Sequence, residues 1–232
     1  MSKARIVVTG GFGALGRAVG EALLAGGAAV ALVDHAPAPG GLPEGALPCG
    51  SVDLCDPRAA QRCLDGIAER FGGLDGIVNA AGGFAWETVE HGDIATWDRM
   101  YALNVRTALL ASQAALPHLL RQGRGRIVHI GAMAAGRAQS GMGAYAAAKS
   151  GVARPTEAMA DEFLERGITV NAVLPSIIDT PANRAAMPDA DSSRWVAPAA
   201  LARVVLFLLS DASAAVTGAL LPVSAPSAKA TS

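Results

Sequence analysis

The chain has 232 residues, 51% of them hydrophobic, and a formal net charge of −1 at pH 7. The length allows one α/β domain with a well-buried core, and the balanced charge argues against nucleic acid or an anionic membrane as a partner. No signal peptide precedes the first strand, and no uncharged run near the start is long enough to cross a bilayer. The three cysteines lack metal-ligand spacing. We therefore expect a cytoplasmic protein with free thiols and no bound metal.

A glycine-rich turn joins the first strand to the first helix. The strand is the apolar, β-branched run at residues 4–8, and the helix carries Leu15, Val19 and Leu23 at a spacing of four residues. Glycines let the backbone turn sharply and let a phosphate approach it, while the helix N-terminus offers unpaired N–H groups to an anion. A purely structural turn is the alternative, but its place between strand and helix predicts a dinucleotide pyrophosphate site. The residues predicted to form it are Gly10, Phe12, Gly13, Ala14, Leu15 and Gly16.

An acidic residue ends the second strand. The strand covers residues 28–33, and Asp34 follows it, 18 residues after Gly16, where a dinucleotide fold places the acid that binds the adenosine ribose. A carboxylate there accepts hydrogen bonds from the 2′- and 3′-hydroxyls and repels a 2′-phosphate. Since no Arg or Lys follows Asp34 directly, the sequence favours NAD(H) over NADP(H). The alternative is an aspartate that only caps a turn.

The third and fourth strands also end at residues that can face a cofactor. The third strand, at residues 47–52, ends at Asp53 and Leu54, and Asp53 either contacts the adenine amino group or closes an ordinary turn. The fourth strand begins at residue 76 and runs into a turn of small residues. Small side chains there would let the ribose and the nicotinamide lie against the backbone. The residues of this predicted contact are Asn79, Ala80, Ala81 and Gly82.

The middle of the chain holds side chains with more than one interpretation. Phe84 and Trp86 lie in a loop that either borders a substrate pocket or covers the core. A long helix over residues 100–120 carries Asn104 among apolar neighbours, and a buried asparagine needs partners, whether local or functional. The fifth strand carries His129, which we interpret as a core histidine with satisfied hydrogen bonds.

Tyr145 and Lys149 are four residues apart and would share one face of a helix. A tyrosine hydroxyl titrates near ~10 in water. A neighbouring ammonium, together with the positive charge of an oxidised nicotinamide, favours the phenolate and lowers that pKa. Tyr145 can then exchange a proton with a substrate near neutral pH; an ordinary surface pair is the alternative. The helix is expected to continue to Phe163, with Pro155 interrupting it and removing one backbone hydrogen bond.

The rest of the chain completes an alternation of strands and helices. A sixth strand is predicted at residues 168–174, a loop at 175–197, a helix at 198–210, a last strand at 219–223 and a flexible tail at 225–232. This alternation predicts an α/β fold with a parallel sheet and helices on both faces. Neither an internal repeat nor a second domain is visible, so residues 1–232 are predicted to form a single domain.

Five motifs occur in the order and spacing of one known family. They are residues 9–16, residues 79–82, Asn104-Val105, Tyr145 with Lys149, and residues 175–180. The chain thereby resembles the short-chain dehydrogenase/reductase family along its whole length. The resemblance implies a Rossmann-like, doubly wound sheet of about seven strands, a nicotinamide cofactor and hydride transfer. It also implies a homodimer or homotetramer.

The resemblance assigns roles to the motif residues. Tyr145 would be the acid/base, Lys149 would lower its pKa and bind the ribose, and Asn104 would support a proton-relay water chain. Residues 79–82 would line the cofactor, and Thr180 would hold the carboxamide. Five residues in the carboxyl half of the chain would thus contact the cofactor: Tyr145, Lys149, Pro175, Ile178 and Thr180.

Two positions depart from the family pattern. Ala14 stands where the usual turn has glycine, and Ala132 stands where the catalytic serine is expected, thirteen residues before Tyr145. Alanine cannot donate a hydrogen bond to a substrate oxygen, and the loss of one such donor costs on the order of 10²–10³ in rate where a site relies on it. A neighbour such as Gln139 or Ser140 is a candidate replacement.

Dihydropteridine reductases resemble this chain at both departures and along residues 174–191. They reduce a quinonoid pterin, a conjugated C=N system, with NADH, and a delocalised acceptor needs less help at a single oxygen. The resemblance therefore predicts hydride transfer to a C=N or C=O acceptor, with quinonoid dihydropterin as the named candidate. The alternative is a broader carbonyl or imine reductase or an alcohol dehydrogenase. A non-catalytic dinucleotide-binding sensor is favoured only by Ala132 and needs no proton relay.

Overall fold

The computed structural model describes residues 3–225, which form seven strands and eight α-helices. Of the predicted tail, only Ala225 lies within these residues, and it packs against the core. The strands are β1 (Arg5–Thr9), β2 (Ala29–Val33), β3 (Leu47–Cys49), β4 (Gly76–Asn79), β5 (Gly125–Ile130), β6 (Ile168–Pro175) and β7 (Leu220–Val223). The helices are α1 (Ala14–Ala25), α2 (Pro57–Phe71), α3 (Ile94–Tyr101), α4 (Thr107–Gln122), α5 (Gly143–Ser150), α6 (Ala153–Glu162), α7 (Pro181–Ala186) and α8 (Pro198–Leu209).

All seven strands run parallel in one sheet with the order β3-β2-β1-β4-β5-β6-β7. The chain winds from β1 outward to β3 and then returns to β4, so the strand order reverses between β1 and β4. Ligands of open α/β sheets bind at such a reversal, at the carboxyl ends of the strands. The glycine turn after β1 and the small-residue turn after β4 therefore lie side by side. The predicted Rossmann-like α/β fold is confirmed.

Helices cover both faces of the sheet because the strands are apolar on both sides. One face packs against α2, α4 and α6 through a buried cluster that includes Val7 and Ile77. The other face packs against α1 and α8 through a cluster that includes Val8 and Val78. A smaller cluster around Met100 joins α3 to α5. Consecutive residues of one strand thus serve opposite layers, and α3 and α5 share a small core of their own.

The predicted helix over residues 100–120 begins earlier and is not uniform. α3 starts at residue 94, passes through a π-helical turn at Ala102–Arg106 and continues as α4. Such turns are frequent at functional sites, and this one contains Asn104. The Asn104 Nδ2 donates a hydrogen bond to the Met100 carbonyl at 3.0 Å, so the side chain supports the distorted turn that carries it.

The single helix predicted from Tyr145 to Phe163 is wrong, because the chain forms two helices there. α5 ends at residue 150, Gly151 and Val152 form a turn, and α6 begins at residue 153. Pro155 lies in the first turn of α6, where a backbone N–H has no helical acceptor. The proline therefore removes no hydrogen bond from a helix interior, and the interruption precedes it.

Two other segments also differ from expectation. β3 ends at Cys49, three residues earlier than predicted. The predicted loop at residues 175–197 contains α7, a 3₁₀ turn at Ser192–Arg194 and a parallel bridge between Ile178 and Val196. Across residues 3–225, the helices are too short or too polar to cross a membrane, and His, Cys, Asp and Glu do not gather in threes as metal ligands do.

Candidate active site

The glycine turn is held against the turn after β4 by backbone contacts. Gly10 has a φ of +63°, and a Cβ placed on it would lie 2.7 Å from the Ala81 nitrogen. A Cβ on Gly16 would overlap the Gly10 carbonyl. Thr9 Oγ1 accepts a hydrogen bond from the Ala81 N–H at 3.2 Å. The two turns form one surface that tolerates no added side chain at these glycines.

α1 presents unpaired backbone N–H groups to this surface. Gly13 caps the helix without a side-chain hydrogen bond, and the first turn contains no acidic residue. Within residues 3–225, the N–H groups of Ala14, Leu15 and Gly16 find no acceptor. Because the helix dipole adds positive charge at this end, the side-chain-free cradle fits the pyrophosphate of a dinucleotide. Ala14, the first departure from the family pattern, is exposed and leaves the cradle open.

Asp34 lies at the end of β2, at the rim of the glycine turn. Its Oδ2 accepts the Phe12 N–H at 3.0 Å, and its Oδ1 accepts the Ala36 N–H at 3.1 Å. Its own N–H donates to the Cys49 carbonyl at 3.0 Å. A carboxylate has about four acceptor sites, so two remain for ribose hydroxyls. The turn-capping interpretation of Asp34 and its ribose-binding role are therefore compatible.

Asp53 and Leu54, the next two residues predicted to contact the cofactor, lie in different environments. Asp53 is exposed, and its Oδ1 accepts the Cys55 N–H at 2.8 Å. This is the ordinary turn that the sequence offered as the alternative to a contact with adenine. The Leu54 side chain is 5% exposed and belongs to the core cluster under α2. A cofactor at this position would meet the Leu54 backbone rather than its side chain.

Gly82, Asn104 and Lys149 converge at one point. Asn104 is 2% exposed; its Oδ1 accepts the Gly83 N–H at 3.2 Å and its Nδ2 donates to the Gly83 carbonyl at 3.0 Å. A Cβ on Gly82 would lie 2.7 Å from Asn104 Oδ1 and 3.3 Å from Lys149 Nζ. Asn104 thus fixes the turn after β4 onto the π-turn, and only glycine leaves room between the two side chains.

Lys149 and Tyr145 share one face of α5, as their spacing predicts. Lys149 is 7% exposed, its Nζ donates to the Ile130 carbonyl at 2.8 Å, and burial lowers its pKa to about 8. The Tyr145 ring meets the Phe84 ring edge to face, with centroids 5.0 Å apart, and burial raises the pKa of Tyr145. The expected lowering of this pKa, which includes the charge of an oxidised nicotinamide, stays a prediction, and in the chain alone burial acts in the opposite direction.

A chain of buried hydrogen bonds runs through the layer beneath the site. Asn79 Nδ2 donates to Ser112 Oγ at 2.8 Å, and His129 bonds Ser112 through Nε2 at 3.2 Å and Thr156 through Nδ1 at 2.8 Å. Burial lowers the pKa of His129 to about 4, so the ring is neutral. Because Thr156 donates its proton to the Val152 carbonyl, Nδ1 carries the ring proton. The core-histidine interpretation is confirmed, and the Asn79 side chain faces this chain of bonds rather than the glycine turn.

The position of the expected serine is a buried methyl group. Ala132 is 6% exposed and follows β5, and its carbonyl accepts the Ala135 N–H at 3.1 Å. The two replacement donors considered from the sequence, Gln139 and Ser140, are both exposed. Neither side chain donates or accepts a hydrogen bond within residues 3–225, so nothing in the fold holds them toward Tyr145.

Ser176 is a candidate that the sequence did not reveal. Its Oγ is buried, and it finds no hydrogen-bond partner in the part of the chain that the structure describes. It lies one residue beyond β6, and β6 pairs with β5 so that Val173 is opposite Ile130. Ser176 and Ala132 therefore lie at the same end of neighbouring strands. The only sequence signal was a hydroxyl residue directly after the strand-ending Pro175.

Thr180 and Ile178 follow on the same side of the sheet. Thr180 Oγ1 accepts the Asn183 N–H at 3.1 Å and caps α7, which leaves its hydroxyl proton available as a donor. Ile178 is held by its bridge to Val196, and Asp179 pairs with Arg184 at 2.6 Å. The segment after Pro175 is thus ordered by local bonds, with one donor left over.

Residues 83–92 form a loop beside α5 that carries two exposed aromatic side chains. The side chains of Phe84 and Trp86 are 59% and 63% exposed. Gly141 has a φ of +73°, and a Cβ on it would overlap the Trp86 ring, while the Glu87 N–H donates to the Gly141 carbonyl at 2.8 Å. The loop is therefore attached to the segment just before Tyr145, and its aromatic residues border the site instead of covering the core.

Comparison with known proteins identifies the family of the chain. The short chain dehydrogenase family matches residues 4–191. The chain belongs to that family. A 2-(S)-hydroxypropyl-CoM dehydrogenase from Xanthobacter autotrophicus is 34% identical over 94% of each chain. A D-threitol dehydrogenase from Mycolicibacterium smegmatis is 31% identical over 92% of this chain and 88% of its own. The protein is accordingly an oxidoreductase of the dehydrogenase/reductase type.

Solved structures agree with this assignment. A levodione reductase superposes with a TM-score of 0.85 at 28% identity, covering 95% of this chain and 96% of its own. A 3-ketoacyl-(acyl-carrier-protein) reductase from Brucella melitensis, complexed with NADH, gives a TM-score of 0.85 at 26% identity and the same coverage. The family resemblance is confirmed, while the dihydropteridine reductase resemblance stays a prediction.

Proposed function

We propose that the protein transfers hydride between NAD(H) and a C=N or C=O acceptor, with Tyr145 exchanging the proton. The observation that carries this proposal is the convergence of Gly82, Asn104 and Lys149 beside the side-chain-free glycine turn. A nicotinamide cofactor held there would supply the hydride. The chain's own residues orient the two reactants and move a proton.

The two residues of α5 have different tasks in this proposal. Lys149 has three N–H donors, of which one is used by the Ile130 carbonyl, so two can hold ribose hydroxyls. Tyr145 holds its proton firmly in the chain alone, because burial raises its pKa. A raised pKa suits a group that donates a proton to a reduced substrate at neutral pH. The reductive direction is therefore favoured for Tyr145 as general acid.

The cofactor preference rests on Asp34. Its carboxylate is fixed by the Phe12 and Ala36 N–H groups at the rim of the turn. Two acceptor sites remain for the 2′- and 3′-hydroxyls of NADH, while the 2′-phosphate of NADPH would meet a fixed negative charge. We therefore propose NADH as the preferred cofactor and NADPH as the weaker one.

The acceptor class rests on Ala132. A buried methyl group at this position offers no proton to a developing oxyanion, and a conjugated acceptor spreads the incoming charge over several atoms. Quinonoid dihydropterin is the named candidate, because the dihydropteridine reductases resemble this chain in Ala132 and in residues 174–191. The exposed Phe84 and Trp86 would border a flat ring.

A second candidate is a secondary alcohol dehydrogenase or ketone reductase. The two relatives named above favour it, since they are a 2-(S)-hydroxypropyl-CoM dehydrogenase and a D-threitol dehydrogenase, whose names both refer to hydroxylated compounds. This candidate needs a donor in place of the missing serine. The unpaired hydroxyl of Ser176 supports it, since this buried group lies at the same strand ends as Ala132.

An acceptor screen separates the two candidates. NADH oxidation is measured with quinonoid dihydropterin, a cyclic imine and an aryl ketone, for the wild type, Ala132→Ser and Ser176→Ala. We expect the wild type to reduce the C=N acceptors, and Ala132→Ser to leave that rate unchanged or lower it. With the ketone, Ala132→Ser should raise the rate by up to ~10²-fold if the rate changes at all. If the wild type prefers the ketone and Ser176→Ala loses that preference, the second candidate would be established instead.

We also propose that the protein is a cytoplasmic homodimer or homotetramer. Apolar side chains on α3 support an interface there, because Ile94, Trp97 and Tyr101 are 74%, 37% and 56% exposed. Trp97 and Tyr101 also line a cavity of about 280 Å³ between α3 and α5. Light scattering on the purified protein measures the assembly directly, and a monomeric mass would refute it.

A further inference from the structure

Two cysteines face each other away from the proposed catalytic site. Cys49 ends β3, the edge strand of the sheet, and Cys63 lies on α2, and both side chains pack against the same core cluster. Both are half-buried, and both line a surface cavity of about 490 Å³ together with Leu47 and Arg62. Their thiols lie close enough for Cys63 to shift the pKa of Cys49. The cavity gives a small reagent a path to both sulfur atoms.

The two thiols are chemically unequal. The neighbouring Cys63 thiol and the charge of Arg70 lower the pKa of Cys49 against the effect of burial. The neighbouring Cys49 thiol, together with burial, raises the pKa of Cys63. Since the thiolate is the nucleophilic form of cysteine, Cys49 is the attacking residue and Cys63 the resolving one. The third cysteine, Cys55, is elsewhere and bonds the Ala102 carbonyl at 3.5 Å.

We propose that Cys49 and Cys63 form a dithiol site that reacts with low-molecular-weight disulfides and closes to an intramolecular disulfide. The Cys49 thiolate attacks one sulfur of the reagent and releases the other half as a thiolate, which leaves a mixed disulfide on Cys49. That released thiolate takes the Cys63 proton. The Cys63 sulfur then attacks the Cys49 sulfur and expels the second half as a thiolate. Two protein thiols are oxidised, and one external disulfide is reduced.

The site lies next to the rim of the proposed cofactor pocket. The Cys49 carbonyl accepts the Asp34 N–H at 3.0 Å, and the Val52 N–H donates to the Asp34 carbonyl at 3.0 Å. A disulfide to α2 would restrict the strand end that holds Asp34. This consequence for NADH binding rests on the proposed function, whereas the thiol chemistry does not.

The test uses glutathione disulfide on the full chain, followed by thiol alkylation, intact mass and peptide mapping. We expect wild type to lose two of its three free thiols without keeping glutathione, to show a 49–63 cross-linked peptide, and to recover all thiols with dithiothreitol. Cys55→Ser is the matched control and should close its remaining pair equally fast. Cys63→Ser should instead trap one glutathione on Cys49.

Three outcomes would overturn the proposal. They are retention of all three thiols, stable glutathione adducts on wild type without the cross-link, and modification of Cys55 before Cys49. If Cys63→Ser does not fold, the cross-linked peptide of the wild type decides the matter alone. Because none of these measurements involves NADH or an acceptor, a failed acceptor screen leaves this result unaffected, and the reverse also holds.

Discussion

The glycine turn and the loop of residues 83–92 both border the candidate active site but are built from different parts of the chain. The glycine turn is backbone against backbone, and a Cβ on Gly10 would come within 2.8 Å of the Ala80 carbonyl. The loop presents side chains, with Phe84, Trp86 and Val89 each more than half exposed. A change in the glycine turn therefore disturbs the fold, whereas a change in the loop replaces one surface with another.

This difference explains why the cofactor class is easier to assign than the acceptor. Backbone sterics and free N–H groups are fixed by the fold, so relatives with the same turn meet the same pyrophosphate geometry. An acceptor is selected by exposed apolar side chains, which can change without cost to the core. The following predictions test whether the two regions act independently, beginning with the residue between them.

Tyr145→Phe has the largest expected effect. It should lower turnover by about 10²–10⁴-fold, the usual contribution of a positioned proton donor, while the Kd for NADH changes less than a few-fold. The reason is that Tyr145 acts on the acceptor, while the glycine turn and Asp34 hold the cofactor. Stopped-flow turnover and NADH fluorescence titration measure the two quantities. Turnover within a few-fold of wild type would exclude Tyr145 as the acid.

Asp34→Ser is expected to act on the cofactor side alone. The kcat/KM with NADH should fall about 10- to 150-fold, because a hydrogen bond to a charged group contributes about 1.5–3 kcal/mol, and the kcat/KM with NADPH should rise. Glu44→Ser is the control, since it removes the same charge from an exposed position in the adjoining loop. A wild type that already prefers NADPH would contradict this interpretation of Asp34.

The sequence predicted what local patterns determine. The alternation of strands and helices, the glycine turn and the position of Asp34 follow from apolar runs, glycines and the distance between strands. The π-turn at Asn104 was not predicted, because it depends on bonds from Asn104 to Gly83, which lies far away along the chain. The burial that raises the pKa of Tyr145 in the chain alone was not predicted for a similar reason, since it arises only after folding.

The affinity for NADH should depend on pH through Lys149. Its pKa is lowered to about 8 by burial, so below that pH it is charged and above it the buried amine is neutral, although an exposed lysine would keep its proton. NADH affinity should therefore weaken above pH 8, by up to about tenfold per pH unit. Tyr145 does not interfere, since its pKa is raised.

Fluorescence titration of NADH between pH 6 and pH 10 measures this dependence, and Lys149→Met serves as the variant without a titrating group. We expect Lys149→Met to bind NADH weakly at every pH, without a bend in the profile. A wild-type affinity that stays constant up to pH 10 would show that Lys149 remains charged or does not hold the ribose.

Phe84→Ala has the smallest expected effect and separates the two regions most directly. Phe84 contributes an edge-to-face contact with Tyr145, a type of interaction that contributes about 0.5–1.5 kcal/mol, so the KM for a cyclic acceptor should rise about threefold. The KM for NADH should stay constant, because the aromatic contact that is lost is made with Tyr145 and not with the glycine turn. Removing the ring also exposes Tyr145 to water, which should move the pKa of Tyr145 back toward its ordinary value in the kcat profile. Val89→Ala, in the same loop and 79% exposed, is the matched control and should change neither quantity. If Phe84→Ala instead raised the KM for NADH, the loop and the cofactor surface would be one unit, and the acceptor could not be changed independently of the cofactor.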